Sequence, residues 1–308
     1  MPDNVITTNA LTKYFRKKCV LDEVSFTIPK GSVTAILGRN GSGKTTTLRI
    51  LLGLLEPTRG ASTILGHDSQ HIPPEARAKI GYLAEGHPVI PWMSVAQLAA
   101  FQQSFFPKWN QSIFNAVIDH FALDPKSKSG SLSRGQRAGL ALALTLSPEP
   151  ELLILDDPSL GLDPVARRAL LESILYITRN PNRTVLVSSH LLEDIERVAD
   201  HLIILDRSIL RAACPIEEFR NRIVHYQLLF ESTPPPLPPI PGLLNTVRMN
   251  NTLRLTIANP APDLEPILRA LNPHQLTKEP LNFDEAITAY MSDRKNRGSF
   301  LDAITSAA

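Results

Sequence analysis

The sequence predicts an α/β fold with a mostly parallel sheet in its core and a small α+β extension at its C-terminal end. Short, nearly continuous apolar runs are typical of strands that are buried on both faces. They occupy residues 33–38, 152–156, 184–189 and 202–205. Helical patterns separate these runs, which favours right-handed crossovers and a parallel sheet. A proline-rich segment, residues 233–241, then interrupts the alternation.

The elements around this core are predicted from their own periodicities. Residues 4–28 contain short β segments, and residues 24–28 alternate apolar and polar side chains, as a half-buried strand of an antiparallel subdomain does. Helical patterns begin near Lys44 and recur at 94–121, 164–178 and 191–198. We therefore expect one large domain, residues 1–224, with a helical subdomain at about residues 86–150.

The proline run at 233–241 cannot continue a helix or a central strand, so it indicates an extended loop or linker. Around it we expect a small α+β domain, residues 225–308. The sequence offers a hairpin centred on residues 250–251, an amphipathic helix at 263–271 and a further helix that Asn282 can cap.

The composition is that of a folded globular protein. Of its 308 residues, 43% are apolar and 20% charged, and the net charge of +2 gives no reason to expect nucleic-acid binding. The longest apolar stretch, 138–146, is far below the roughly 20 residues that cross a bilayer, and the N-terminus lacks the apolar core of a signal peptide. We expect a cytoplasmic chain. Cys19 and Cys214 are isolated, which indicates neither a zinc site nor a disulfide.

Residues 38–45, GRNGSGKT, match the pattern GxxxxGK[ST] between a buried strand and a helix. Glycines let the backbone wrap a phosphate with its N–H groups, and the helix N-terminus adds positive potential. Lys44 then reaches the β and γ phosphates of ATP, while the Thr45 hydroxyl can ligate Mg²⁺. A plain glycine-rich turn would not explain why a buried strand precedes these residues and a helix follows them. The residues expected to bind the nucleotide are Gly38, Asn40, Gly41, Ser42, Gly43, Lys44, Thr45 and Thr46.

Two carboxylates and a histidine follow other buried strands. Asp156 ends the strand at 152–156 and should lie at the carboxyl edge of the sheet, where it is the natural second Mg²⁺ ligand. Asp157 could hold or deprotonate an attacking water, or only cap a turn. His190 follows the strand at 184–189 and is either a γ-phosphate contact or a packing residue.

The segment LSRGQ, residues 132–136, resembles the LSGGQ signature of the ATP-binding cassette (ABC) ATPases and precedes the strand LLILDDP as that family requires. The resemblance covers roughly residues 5–219 and implies a P-loop NTPase core. Residues 159–164 resemble the family's D-loop, and VSSH with His190 resembles its switch histidine.

The same resemblance assigns two further positions. Glu85, in KIGYLAE, lies where the family carries its Q-loop, and its carboxylate can still ligate Mg²⁺. Phe15 lies where an aromatic ring normally stacks on adenine, although the neighbouring Tyr14 offers the same flat face.

The family implies a pair of cassettes, in a homodimer or a heterodimer, that share ATP head to tail. ATP on Lys44 of one chain would be covered by Ser133, Gly135 and Gln136 of the other. Closure and reopening would drive an integral membrane permease that contacts the loop of Glu85, with the cassette held at the inner face of the cell membrane. The C-terminal residues resemble the extension of cassettes that serve bacterial ABC-2-type exporters, which points to export. This extension is either a dimerising or stabilising appendage or a regulatory one.

Three residues depart from the family pattern. Asp157 replaces the usual Glu, which withdraws the carboxylate by about 1.5 Å, and Glu85 replaces Gln, which adds a negative charge near the triphosphate. Arg134 replaces the first signature Gly, and its side chain either approaches phosphate or points outward.

The sequence therefore favours an ATP-hydrolysing transport subunit with slow turnover. The alternative is an ATP-dependent regulatory or assembly module with weak or no hydrolysis. A cassette that acts on ribosomes or nucleic acid is disfavoured by the near-neutral charge, the single cassette and the lack of a basic arm.

Overall fold

The computed structural model describes residues 4–178, 183–189, 195–196, 198–279 and 282–292. The chain divides into two compact units, Met1–Ile216 and Glu217–Ala308. Among the described residues, none of the helices combines the length and the apolar character that crossing a membrane would require.

The first unit contains strands and helices that alternate irregularly along the chain. Its strands are β1 (Asn4–Phe15), β2 (Lys18–Val24), β3 (Thr27–Pro29), β4 (Val33–Leu37), β5 (Arg59–Ile64), β6 (His67–Asp68), β7 (Ile80–Leu83), β8 (Leu152–Asp156), β9 (Thr184–Ser189), β10 (His201–Asp206) and β11 (Ile209–Pro215). Its helices are α1 (Lys44–Leu51), α2 (Pro74–Arg77), α3 (Val95–Gln103), α4 (Gln111–His120), α5 (Arg134–Leu146) and α6 (Pro164–Thr178).

Two sheets organise this unit. The antiparallel sheet has the order β2-β1-β5-β6, with β3 paired to β1, and the larger sheet has the order β11-β10-β4-β9-β8-β7. In the larger sheet β10, β4, β9, β8 and β7 are parallel, and β11 pairs antiparallel with β10. Every residue of β4, β8 and β9 is buried, because helices cover both faces of a parallel sheet. The predicted α/β class and mostly parallel sheet are confirmed.

The helical region contains α3, α4 and α5. Ser94 starts α3 with a capping box, in which its hydroxyl accepts from the Gln97 amide and the Gln97 side chain accepts from the Ser94 amide. Helix α5 packs against α4, and Gly139 lets the Phe121 ring approach, since a β-carbon at residue 139 would lie 2.2 Å from that ring. Most of the predicted helix at 191–198 lies outside the described residues.

The second unit is built on an antiparallel sheet. Its elements are α7 (Ile216–Asn221), β12 (Ile223–Leu229), β13 (Leu243–Met249), β14 (Thr252–Ala258), α8 (Leu264–Arg269), β15 (Gln275–Glu279) and α9 (Phe283–Ser292). The strands have the order β13-β14-β12-β15. The predicted hairpin is present, with Asn250 and Asn251 between paired residues Met249 and Thr252. The Asn282 side chain accepts from the Glu285 amide at 2.7 Å and so caps α9.

This second unit has its own apolar core. Leu228, Leu253 and Leu255 are fully buried in it, and Ile240, from the extended proline-rich segment, packs with them. The division before Glu217 precedes the expected boundary at residue 225, which falls inside β12. The reason is that Ile223 and Val224 pair with β14, while no glycine or proline in the sequence marks the start of that strand.

Candidate nucleotide-binding site

A cavity of about 440 Å³ opens at the carboxyl edge of the parallel sheet, within the usual size range of small-molecule sites. It brings together residues from the loop before α1, the end of β8, the segment after β7 and the β1–β2 region. The lining residues are Phe15, Lys18, Val20, Asn40, Gly41, Gly43, Lys44, Thr45, Thr46, Glu85, Asp156 and Asp157.

Gly43 shapes the loop between β4 and α1. It is the N-cap of α1 with φ 108°, a conformation that L side chains rarely adopt. A β-carbon there would lie 2.5 Å from Leu21 Cδ2 and 2.8 Å from the Val20 carbonyl oxygen. Only glycine therefore allows the loop to pass this close to β2.

Lys44 is buried at the first position of α1, with 7% of its surface exposed. Its Nζ donates to the Gly38 carbonyl at 2.7 Å and to the Arg39 carbonyl at 3.4 Å. Burial lowers the pKa of the ammonium, while the nearby carboxylates of Asp157, Asp156 and Glu85 act in the opposite direction. The cation is thus held inside the loop that would wrap a phosphate.

Asp156 forms the centre of a hydrogen-bonded group. Its Oδ1 accepts from the Thr45 hydroxyl at 3.0 Å and from the Ser188 hydroxyl at 2.8 Å. Its Oδ2 is buried and has no hydrogen-bond partner within the described part of the chain. Because a buried carboxylate oxygen beside a hydroxyl is the kind of ligand that Mg²⁺ prefers, these residues fit that ion.

Asp157 lies beside this group in a left-handed conformation, with φ 44°. Its amide donates to the Ser188 hydroxyl at 2.8 Å, and its carbonyl accepts from the Leu160 amide at 3.0 Å in a turn. Aspartate tolerates this conformation better than most residues do. The turn directs the residue to the cavity, while only 7% of its surface is exposed.

Glu85 reaches the same cavity from the loop after β7. Two residues further on, His87 is buried, and its Nε2 lies 2.9 Å from the Pro158 carbonyl oxygen. Sequence reasoning did not single out His87 or Ser188. Ser188 could have been found from its place at the end of a buried strand, just before His190. An isolated histidine in a loop, such as His87, has no comparable pattern in the sequence.

The signature residues lie at the start of α5 and do not line this cavity. The Ser133 hydroxyl accepts from the Gln136 amide at 3.2 Å, and the Gln136 side chain accepts from the Ser133 amide at 3.2 Å. Gly135 is buried, and a β-carbon there would lie 2.7 Å from Ala166 Cβ. The serine and the glutamine therefore form a capping box.

Arg134 lies at a separate cavity of about 270 Å³, which Gly86, His87, Arg137, Leu160 and Gly161 also line. Its Nη1 is 3.1 Å from the position that a β-carbon of Gly161 would occupy. Within one chain, this side chain covers the segment resembling the D-loop.

Phe15 and Tyr14 are both partly exposed, but Phe15 is the one that lines the nucleotide-sized cavity. The Lys13 ammonium lies 5.3 Å from the Phe15 ring centroid. The Tyr14 hydroxyl interacts with Cys19, which raises the pKa of this tyrosine. His190 lies outside the described residues.

A phosphate-wrapping loop before α1, joined to an acidic strand end at the edge of a parallel sheet, defines a P-loop nucleotide-binding protein. The family described as ABC transporter matches residues 21–160. The bacitracin transport ATP-binding protein BcrA of Bacillus licheniformis is 30% identical over 220 residues, which cover 71% of this chain and 72% of that protein. The chain belongs to the family of ABC transporter ATP-binding proteins.

Two further comparisons extend this result. The ABC transporter ATP-binding protein YtrB of Bacillus subtilis (strain 168) is 27% identical over 301 residues, which cover 94% of this chain and 99% of that protein. A solved structure of an ATP-binding subunit of an ABC transporter matches with a TM-score of 0.64 and 26% identity, and covers 70% of this chain and 92% of its own. The chain is thus the ATP-binding subunit of a transporter, in a family whose cassettes are generally ATPases.

Proposed function

We propose that this subunit hydrolyses ATP with Mg²⁺ at the cavity beside α1 and powers a separate membrane permease. The observation that carries the proposal is the convergence of Lys44, Thr45, Asp156 and Asp157 at one cavity. A cation for the phosphates, two oxygen ligands for a metal and a carboxylate for water are the parts that phosphoryl transfer requires.

The proposed roles follow from the position of each group. Lys44 balances the charge of the β and γ phosphates, and the loop glycines supply backbone N–H donors to the same oxygens. Thr45 and Asp156 would hold Mg²⁺, and Glu85 would be a further oxygen ligand. The bound ion would neutralise charge on the β and γ oxygens. Phe15 offers its ring to the adenine.

Asp157 is the proposed base that orients the attacking water, and the sequence adds His190 as a contact to the γ-phosphate. The shorter side chain of Asp157 is consistent with slow turnover. Its fixed backbone supports the role, because the amide bond to Ser188 and the turn to Leu160 leave the residue little freedom.

A second cassette completes the site in this proposal. Ser133, Gly135 and Gln136, none of which lines its own chain's cavity, would contact the ATP of a partner. Arg134 and the neighbouring Gly161 would lie at the same junction. Either a second copy or a related cassette could supply this surface.

The proposed assembly is peripheral, at the inner face of the cell membrane, on a permease that contacts the loop of Glu85. The name of one relative, a Nod factor export ATP-binding protein, supports export as the direction. The alignment with YtrB covers nearly the whole chain, which supports a second unit shared with that relative, and we propose a dimerising, stabilising or regulatory role for it.

The decisive experiment measures phosphate release by the chain reconstituted with its permease. Lys44→Ala should lower the rate by about 10²-fold or more, since it removes the cation from the phosphates. An unchanged rate would contradict the proposal. The competing function, an ATP-dependent regulatory module without hydrolysis, is favoured by Asp157 and Glu85. It is excluded if single-turnover phosphate release is robust and disappears in Asp157→Asn.

A further inference from the structure

His87 has an unusual combination of backbone and burial. It has φ 52° and follows Gly86 with φ 76°, in a turn closed by its own amide, which donates to the Ala84 carbonyl at 3.2 Å. Left-handed backbone at a non-glycine residue costs about 1–2 kcal/mol and persists only where the surroundings enforce it. Only 3% of the residue is exposed. The buried side chain makes a contact that helps to fix this turn.

That contact is the hydrogen bond between His87 Nε2 and the Pro158 carbonyl oxygen, at 2.9 Å. A carbonyl oxygen only accepts, so Nε2 carries the proton. The bond joins the loop after β7 to the turn after β8, two segments 71 residues apart in the chain.

The two segments carry the carboxylates that differ from the family pattern. Glu85 precedes His87 by two residues, and Asp157 immediately precedes Pro158. The Asp157 amide donates to the Ser188 hydroxyl, and the His87 side chain donates to the carbonyl of the next residue, Pro158. The backbone is thus held on both sides of the Asp157 side chain. The His87 bond therefore ties the turn after Asp157 to the loop after β7, in addition to the bond from Ser188 and the hydrogen bonds within the turn.

We infer that His87 is a positioning residue that ties the loop of Glu85 to the turn of Asp157 and so holds both carboxylates at the nucleotide cavity. This inference rests on the proposed hydrolytic function. His87 does not line that cavity, so its removal changes the placement of the acids and leaves the nucleotide contacts in place.

The test compares three substitutions in the full chain. His87→Ala removes the donor and leaves the Pro158 carbonyl unpaired. His87→Gln keeps a donor at the same number of bonds from Cβ as Nε2, and His87→Asn keeps an amide that is one bond too short. His225→Ala is the matched control, because it also removes a histidine hydrogen bond, the one of 3.0 Å to the Thr256 hydroxyl in the second unit.

We expect His87→Ala and His87→Asn to lower kcat by roughly tenfold with an unchanged KM for ATP, since the loss of one hydrogen bond has about this effect on a rate. His87→Gln and His225→Ala should retain wild-type values. A glutamine variant as impaired as the alanine variant, or an unimpaired alanine variant, overturns the inference.

Hydrogen exchange separates this inference from the hydrolytic function itself. The Asp157 amide donates to Ser188, and the amides of Leu160 and Leu162 donate within the turn that Pro158 belongs to. All three should exchange roughly tenfold faster in His87→Ala than in wild type. This measurement needs no turnover. If wild type releases no phosphate, the proposed function fails while exchange still decides the role of His87, and unchanged exchange overturns that role.

Discussion

Thr45 and Asp156 are 111 residues apart in the chain, yet the Thr45 hydroxyl donates to Asp156 Oδ1 at 3.0 Å. The bond connects the first turn of α1, which follows β4, to the end of β8. Strand β9 lies between β4 and β8 in the sheet. The two oxygens are therefore placed together by the fold itself, and a divalent ion would find its protein ligands already adjacent.

Removal of this hydroxyl should weaken the response to Mg²⁺. In Thr45→Val, we expect the Mg²⁺ concentration for half-maximal phosphate release to rise at least about tenfold, because a ligand is lost while the side-chain volume is kept. Thr45→Ser retains the hydroxyl and serves as the control. A magnesium titration of both variants checks this, and an unshifted titration in Thr45→Val would remove Thr45 from the metal site.

Gly43 should tolerate no side chain. Gly43→Ala brings a β-carbon to 2.5 Å from Leu21, so we expect loss of binding of a fluorescent ATP analogue together with a lower unfolding temperature. Gly66→Ala is a matched control, since it has φ 80° but meets no atom within 4 Å. It should cost about 1–2 kcal/mol of stability through backbone strain and leave ATP binding intact. Equal binding by both variants would contradict the close approach at Gly43.

Asp157→Asn should separate ATP binding from turnover. Asparagine accepts the left-handed backbone at residue 157, so the turn remains while the base is lost. We expect kcat to fall by about 10²- to 10⁴-fold with ATP affinity retained. ATP binding and single-turnover phosphate release, measured on the same preparation, check both expectations. A variant that binds ATP and hydrolyses it at the wild-type rate would assign the base elsewhere.

Tyr226 gives a prediction for the second unit. Its hydroxyl donates to Glu265 Oε1 at 3.0 Å, and burial, followed by this bond and the charge of Glu265, raises its pKa above 10.0. The folded state therefore keeps the proton to higher pH than the unfolded chain does. The resulting stability is fully present below pH 10.0 and is lost as the pH rises through the raised value.

Tyr226→Phe should lower the free energy of unfolding by about 0.5–1.5 kcal/mol at neutral pH, because it removes the hydrogen bond. As the pH rises through the range in which Tyr226 loses its proton, the free energy of unfolding of this variant should fall less than that of wild type. Denaturant unfolding at several pH values measures both effects. Glu265→Gln keeps an acceptor without the charge, so its neutral-pH stability should lie closer to wild type. Identical pH profiles for wild type and Tyr226→Phe would exclude this contribution.

The sequence predicted the elements whose signal is local. The nearly continuous apolar runs lie in β4, β8, β9 and β10, Asn250 and Asn251 form the hairpin turn, and Asn282 caps its helix. Strand β7 was missed, because Ile80–Leu83 contains a glycine and is only half buried at alternate positions. Period and length alone do not separate such a short strand from a loop.

The candidate site likewise has parts that the local sequence predicts and contacts that it does not. The loop at Lys44 and the acids after β8 have sequence patterns whose chemistry is readable one segment at a time. The bonds from Ser188 to Asp156 and from His87 to Pro158 join residues 32 and 71 positions apart. Nothing in either segment specifies its partner, so these contacts emerge only when the sheet order is known.

The capping box at the start of α5 has a consequence for how this chain can vary. The Ser133 oxygen accepts the Gln136 amide, yet its own proton is still available to a phosphate oxygen of a neighbouring molecule. The same atom thus begins a helix and is proposed to touch the shared nucleotide. Ser133→Ala would therefore remove the helix cap and the proposed phosphate contact in one step.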